Sequence, residues 1–350
     1  MIAWFHRSLL LLAIPSLLFV VMTGPASAAK DRPVKVFILA GQSNMEGKAK
    51  VSLLEYQAKQ PETRDLFKHL RKDGRWVVRN DVWIKFLGKK GNLTVGFGSK
   101  DRIGPELEFG NTVGNHFEEQ VLLIKTAWGG KSLARDFRPP SSGLPSQEAL
   151  QKLLKNAQKR RPKTTMDDIK KSFGKYYREM HTEISDTLKN LGEYFPDYKG
   201  QGYEIAGFVW FQGWNDMVNP EYTAEYTKNM VNFIKDVRKD LNVPKMPFVI
   251  GQLGVGGTEE KRPNQGRDRF KRAQAAAADF PAFRGNVSVV KTDVLWDKTA
   301  QAVYSKGWKN HVKEWEKVGS DYPFHYLGSA KTYTRIGKAF GKSILDMQKK

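Results

Sequence analysis

Val34 to Gly47 reads VKVFILAGQSNMEG, and this stretch decides the fold. Val34 to Ala40 is a short apolar run rich in β-branched and aromatic residues, the pattern of a buried strand. The run stops at Gly41-Gln42-Ser43-Asn44-Met45. Open α/β sheets place their ligands at the carboxyl ends of such strands, and Gly41 lets the chain turn sharply there. Ser43 is thus either a reachable hydroxyl or a cap for the helix that follows. The GxSxG elbow is absent, because Met45 stands where its second glycine would be. The case for a nucleophile has to come from partners elsewhere in the chain.

Working outward, similar runs occur at Asp81–Leu87, Val121–Thr126, Ile205–Phe211 and Met246–Gln252, with an edge strand at Asn286–Lys291. Between them, Phe173–Leu191 carries apolar residues at spacings of three and four, one face of a helix. Further helices are expected at Asn111–Glu119, Tyr222–Leu241, Arg267–Asp279 and Ser329–Met347, the last loosened by Gly337. Gly88–Gly110 reads as a glycine-rich loop over a site. This alternation predicts an α/β fold with a central, mainly parallel five-stranded sheet and helices on both faces.

The chain has 350 residues and no long linker-like tract, which points to a single domain over 29–350 with an insertion around 137–170. Residues 1–28 have the form of a cleavable export signal: a basic start, an apolar core and Ala26-Ser27-Ala28. The apolar core is shorter than the roughly 20 residues of a membrane span, so no stable membrane insertion is expected after cleavage. Secretion or export to a periplasm follows. Without cysteine there is neither a disulfide nor a thiol nucleophile. Lys+Arg 58 against Asp+Glu 37 gives a net charge of +21, which attracts polyanions such as acidic glycans. The basic residues are scattered and no zinc-finger, RNP or P-loop pattern accompanies them, which argues against nucleic acid.

In a parallel sheet the strand-end turns share one rim. Here the rim offers Ser43, the Gly104-Pro105-Glu106 loop and Gln212. His325 lies in Asp321-Tyr322-Pro323-Phe324-His325-Tyr326, a loop before the last helix from which an imidazole can reach across that rim. The bland alternatives are a surface histidine and a glutamine satisfying its own turn. Trp128, Gly130 and Trp214 follow strand ends, where aromatic rings can stack on sugars or simply pack in the core.

The turn GQSNM, the GPELEFG loop, WFQGWND and the late FHYLG segment resemble the sialate O-acetylesterase-like branch of the SGNH hydrolases, to which carbohydrate esterase family 6 belongs. The resemblance implies a three-layer α/β/α, flavodoxin-like fold and removal of acetyl groups from carbohydrates, without metal or organic cofactor. It implies Ser43 as nucleophile, His325 as general base, and an oxyanion hole of Ser43 N–H, Gly104 N–H and the Gln212 side chain. Gln42, Asn44, Glu106 and Asp216 on the same loops, with Trp128, Gly130 and Trp214, are the candidate substrate contacts. The family's usual Asp-x-x-His is broken, since Tyr322 stands three before His325. Asp321, four before, is the expected acid; Asp216, Asp293, Asp297 or a serine–histidine pair without a carboxylate are the alternatives. The irregular acid also motivates a rival: a secreted glycan-binding protein of this fold with impaired catalysis.

Overall fold

The computed structural model describes Met1, residues 32–258 and residues 264–349. From residue 2 onward the expected export signal lies outside the described residues. Among those described, no helix is long and apolar enough to cross a membrane.

One sheet organises the chain. Its strands are β1 (Val34–Gly41), β2 (Arg79–Phe86), β3 (Lys89–Leu93), β4 (Val121–Ala127), β5 (Tyr203–Phe211), β6 (Phe248–Gln252) and β7 (Val287–Lys291). They lie in the order β7-β6-β5-β1-β4-β2-β3. Neighbours run parallel except β3, which pairs antiparallel with β2. The sheet is therefore mainly parallel as expected, but seven-stranded rather than five-stranded. β7 is the anticipated edge. β3 fell in the stretch read as loop, because Lys-Lys-Gly-Asn-Leu has no apolar alternation and only Leu93 is buried. An edge strand needs little more than a backbone partner.

The principal helices are α1 (Ser43–Glu46), α2 (Glu106–Gly114), α3 (Lys175–Lys189), α4 (Pro220–Asp240), α5 (Gln265–Ala276) and α6 (Ala330–Gln348). The period-two alternation of β5 shows how they cover both faces. Phe211 meets Phe340 of α6 at 5.3 Å between ring centroids, whereas Phe208 and Trp210 meet Phe233 of α4 at 6.0 and 4.5 Å. Three layers result.

Two helix expectations are corrected. α2 begins at Glu106 rather than Asn111 and ends at Gly114, with Pro105 before it and Glu106 and Glu108 in its first turn. Acidic residues there complement the helix dipole, a signal hidden by the surrounding glycines. Gly337 does not loosen α6, which runs unbroken. A Cβ at Gly337 would lie 2.3 Å from Pro105 O and 2.9 Å from Phe109 N, so this glycine lets α6 cross α2 at close range. Within the expected insertion, helices Gln147–Gln158 and Met166–Ser172 close over a small separate cluster of Leu150, Ile169 and Phe173.

β1 lies between β4 and β5. The chain leaves β1 to build one side of the sheet, then returns past it to build the other. That reversal opens a crevice beyond the carboxyl end of β1, where Ser43 stands.

Candidate active site

The serine side is built from the turns after β1, β4 and β5. Gly41 has φ +155°, and a Cβ on it would lie 2.2 Å from Phe211 O; only glycine lets β1 turn this close to β5. Ser43 follows as the first residue of α1, 7% exposed. Its N–H leads a helix and has no intrahelical acceptor.

Side chains then lace the three turns together. Gln42 accepts from Gly213 N–H and donates to Asn215 Oδ1, both at 3.1 Å. Asn215 Nδ2 donates to Gly130 O at 3.0 Å. Gln212 Nε2 donates to Lys131 O at 2.9 Å and to Asp216 Oδ2 at 2.5 Å, while its Oε1 accepts from Tyr226 O–H at 3.2 Å. Asp216, fully buried, also accepts from the N–H groups of Leu133 and Ala134, each at 2.9 Å. Burial pushes its carboxyl up to about 7, against the pull of those three donors.

Beneath Ser43 lies an ion pair the sequence reading missed. Lys125 of β4, 1% exposed, donates to Glu106 Oε2 at 2.8 Å, Glu46 O at 2.8 Å and Phe97 O at 2.6 Å. Burial pulls its ammonium down, opposed by Glu106. Glu106 Oε1 in turn accepts from Gly104 N–H at 2.8 Å. All three ammonium protons and the carboxylate are satisfied, as a buried pair requires. The signal was present in Val121–Thr126: a lysine inside a fully buried strand demands a carboxylate.

The histidine side is a single loop. His325 Nδ1 lies 2.9 Å from Asp321 Oδ1. The four-residue spacing works because the chain coils tightly from Pro323, His325 N–H donating to Tyr322 O at 2.9 Å. Beyond His325 the hand reverses: Tyr326, Leu327 and Gly328 have φ of +52°, +61° and +55°. Left-handed non-glycine residues cost of order 1 kcal/mol or more each. Burial of Tyr326 and Leu327 offsets that, as do the bonds of Tyr326 O–H with Gly254 N–H at 2.8 Å and Thr292 Oγ1 at 2.6 Å. Burial raises the Asp321 carboxyl, but the His325 bond, the Tyr322 N–H and Arg102 outweigh it and hold it below its ordinary value. It is a carboxylate at neutral pH.

Asn44 joins the two sides. Its Nδ2 donates to Phe324 O at 3.1 Å, and its Oδ1 accepts from Tyr333 O–H at 2.9 Å. Tyr333 O–H also lies 3.3 Å from His325 O. The residue after Ser43 thereby holds the residue before His325. Among the described residues the Ser43 hydroxyl makes no hydrogen bond, so the link from His325 Nε2 to Oγ is open. Catalytic bonds of this kind are often long until substrate binds.

The expected site residues thus fall into groups. Asn44 ties the Ser43 turn to the loop that carries Asp321 and His325, whereas Asp216 is spent on Leu133 and Ala134. Asp297 accepts from Ser329 Oγ at 2.7 Å, and Asp293 pairs with Lys271. Gly104 N–H and both protons of the Gln212 amide are already bonded within the protein. Gln42, Asn44 and Glu106, 2%, 3% and 0% exposed, are struts within the wall. Trp128 packs on Tyr176 and Phe137 at 5.2 and 6.0 Å, with exposed Gly130 beyond it; half-buried Trp214 leans on Phe324 at 5.5 Å. Among the described residues no His, Asp and Glu side chains group as a metal ion would require.

Residues 33–303 match the family described as carbohydrate esterase, sialic acid-specific acetylesterase, and the chain belongs to that family of carboxylic-ester hydrolases. The matched stretch includes Ser43, Gly104 and Gln212 and ends before Asp321 and His325. A probable carbohydrate esterase of Arabidopsis thaliana is 22% identical over 237 residues, which is 64% of this chain and 71% of that protein. An Arabidopsis thaliana protein of known crystal structure has a TM-score of 0.51 at 17% identity, covering 89% of this chain and 98% of that one. NanS has a TM-score of 0.51 at 13% identity, covering 91% of this chain and 99% of its own. These likenesses establish a shared fold.

Proposed function

We propose that the protein is an exported serine esterase that removes O-acetyl groups from carbohydrates through an acetyl-enzyme. The observation that supports this reading is the strut Asn44–Phe324, which ties the loop bearing the Asp321–His325 pair to the residue after Ser43. Ser43 Oγ attacks the acetyl carbonyl carbon while His325 Nε2 takes its proton, since a serine hydroxyl is a weak nucleophile without a base. Asp321 holds Nδ1–H, fixing the tautomer and stabilising the imidazolium. The oxyanion is received by Ser43 N–H. Gly104 N–H and the Gln212 amide join only by giving up Glu106 and Lys131, so in the resting site they act as positioning groups. Collapse breaks the C–O bond to the sugar, whose oxygen takes the proton from His325. Water, deprotonated by the same imidazole, then attacks the acetyl-serine and releases acetate. Trp214 and Trp128 stand at the rim as contacts for the sugar.

Hydrolysis of p-nitrophenyl acetate and acetate release from acetylated sugars test the reading. Ser43→Ala is expected to lower kcat by about 10⁴-fold or more; no turnover by the wild type on any acetylated sugar refutes it. The open Ser43–His325 link and the engaged oxyanion donors favour a second reading, a glycan-binding protein with impaired catalysis. Equal glycan binding by wild type and Ser43→Ala, with acetate from neither, is its signature.

A further inference from the structure

Beside Asp321 runs a groove of about 770 Å³. Its floor and one wall come from helix Val51–Gln57, the other wall from the segment between helix Lys298–Ser305 and Tyr322. The lining joins aromatic rings and cations. Tyr56, Tyr304, Trp308 and Tyr322 present aromatic rings, Tyr322 being 49% exposed. Lys50, Arg102, Lys313 and Lys317 bring cations.

The charge balance is uneven. Against four cations the groove holds only Glu316 and Asp321, and Asp321 faces Arg102 at 3.5 Å as well as His325 at 2.9 Å. Lys50 and Lys313, both exposed, form no ion pair among the described residues. The Nε of Arg102 is buried there without a hydrogen-bond partner. Lys317 sits 6.0 Å from the Tyr56 ring.

The aromatic lining does not stop at the groove. Trp308 meets Tyr322 at 6.4 Å, Tyr322 stacks on Phe324 at 5.5 Å and 9°, and Phe324 touches both the His325 ring at 4.5 Å and Trp214 at 5.5 Å. A ladder of rings therefore leads from the groove to the imidazole. Rings offer flat apolar faces to sugar, and cations beside them favour a chain bearing negative charge.

We propose that this groove binds a stretch of acidic polysaccharide, a sugar chain carrying carboxylate or sulfate groups, and presents its acetyl ester to Ser43. The destination of the ester rests on the esterase reading; the binding does not. Affinity electrophoresis of the Ser43→Ala chain through alginate, dextran sulfate and neutral dextran tests it, at about 0.15 M salt so that long-range attraction is screened. The paired change Lys50→Glu/Lys313→Glu is expected to weaken retardation by an acidic polymer about tenfold. Lys152→Glu/Lys155→Glu, equally exposed on helix Gln147–Gln158, alters net charge by the same amount and is expected to leave it within about twofold. Trp308→Ala is expected to weaken it as well, and thermal unfolding of each variant reports whether it folds. Alginate and dextran sulfate separate carboxylate from sulfate preference. Equal weakening by both lysine pairs reduces the effect to overall charge and overturns the proposal, as does equal retardation by neutral dextran. Absence of p-nitrophenyl acetate turnover in the wild type overturns the esterase reading alone.

Discussion

The serine side and the histidine side of the crevice are held in opposite ways. Ser43 stands among three strand-end turns cross-braced by Gln42, Gln212, Asn215 and Asp216, over the buried Lys125–Glu106 pair. His325 hangs on one loop whose hand reverses at Tyr326, tied to the serine side by Asn44 and Tyr333. Ser43 is braced by bonds between strand-end turns, whereas the His325 loop is anchored by its buried Tyr326 and reaches the serine side through Asn44 and Tyr333. The unmade bond between them lies where the two constructions meet.

The comparison is sharpened by variants that cut the histidine side at different depths. Removing the charge behind the imidazole has the largest expected effect: Asp321→Asn should lower kcat by about 10²–10⁴-fold with KM little changed. Full activity in that variant would leave a serine–histidine pair without an acid. Its stability carries a pH signature. The Asp321 carboxyl is held low in the fold, so its stabilisation is complete above the ordinary carboxylate range and is lost as pH falls from there through the lowered folded value. The Tm gap between wild type and Asp321→Asn should therefore hold steady above about pH 5 and narrow below it.

Cutting the tie itself comes next. Asn44→Ala retains every proposed reacting group and is expected to cost about 10²-fold in kcat through misplacement of His325. It leaves Phe324 O without its partner, at about 1–3 kcal/mol of stability measured by denaturant unfolding. An unchanged kcat would show that the loop finds the serine unaided. Tyr333→Phe, which keeps the ring and removes the hydroxyl, is the mildest, at about 1 kcal/mol and a few-fold in kcat.

Legibility followed the same divide. Ser43, His325 and Asp321 were legible as candidates from a turn at a strand end, a histidine in the loop before the last helix and the family resemblance, and their roles are the proposal made above. The spacing that made Asp321 irregular is resolved by the tight turn at Pro323, in which His325 N–H donates to Tyr322 O at 2.9 Å. Gln42, Asn44, Glu106 and Asp216 were recognisable as belonging to the rim, but not as facing inward, because burial depends on neighbours distant in the chain. Lys125 was legible and was passed over. β3 and the unbroken α6 were not, since one rests on an edge partnership and the other on how closely two helices cross.

The bond from Asn44 to Phe324 spans 280 residues. A polypeptide emerging from synthesis carries its serine almost at once and its imidazole only near completion. Contacts of such separation close late in folding. An unfinished or clipped chain lacking its last segment would carry Ser43 without His325, so under the proposed mechanism ester hydrolysis awaits the whole folded polypeptide.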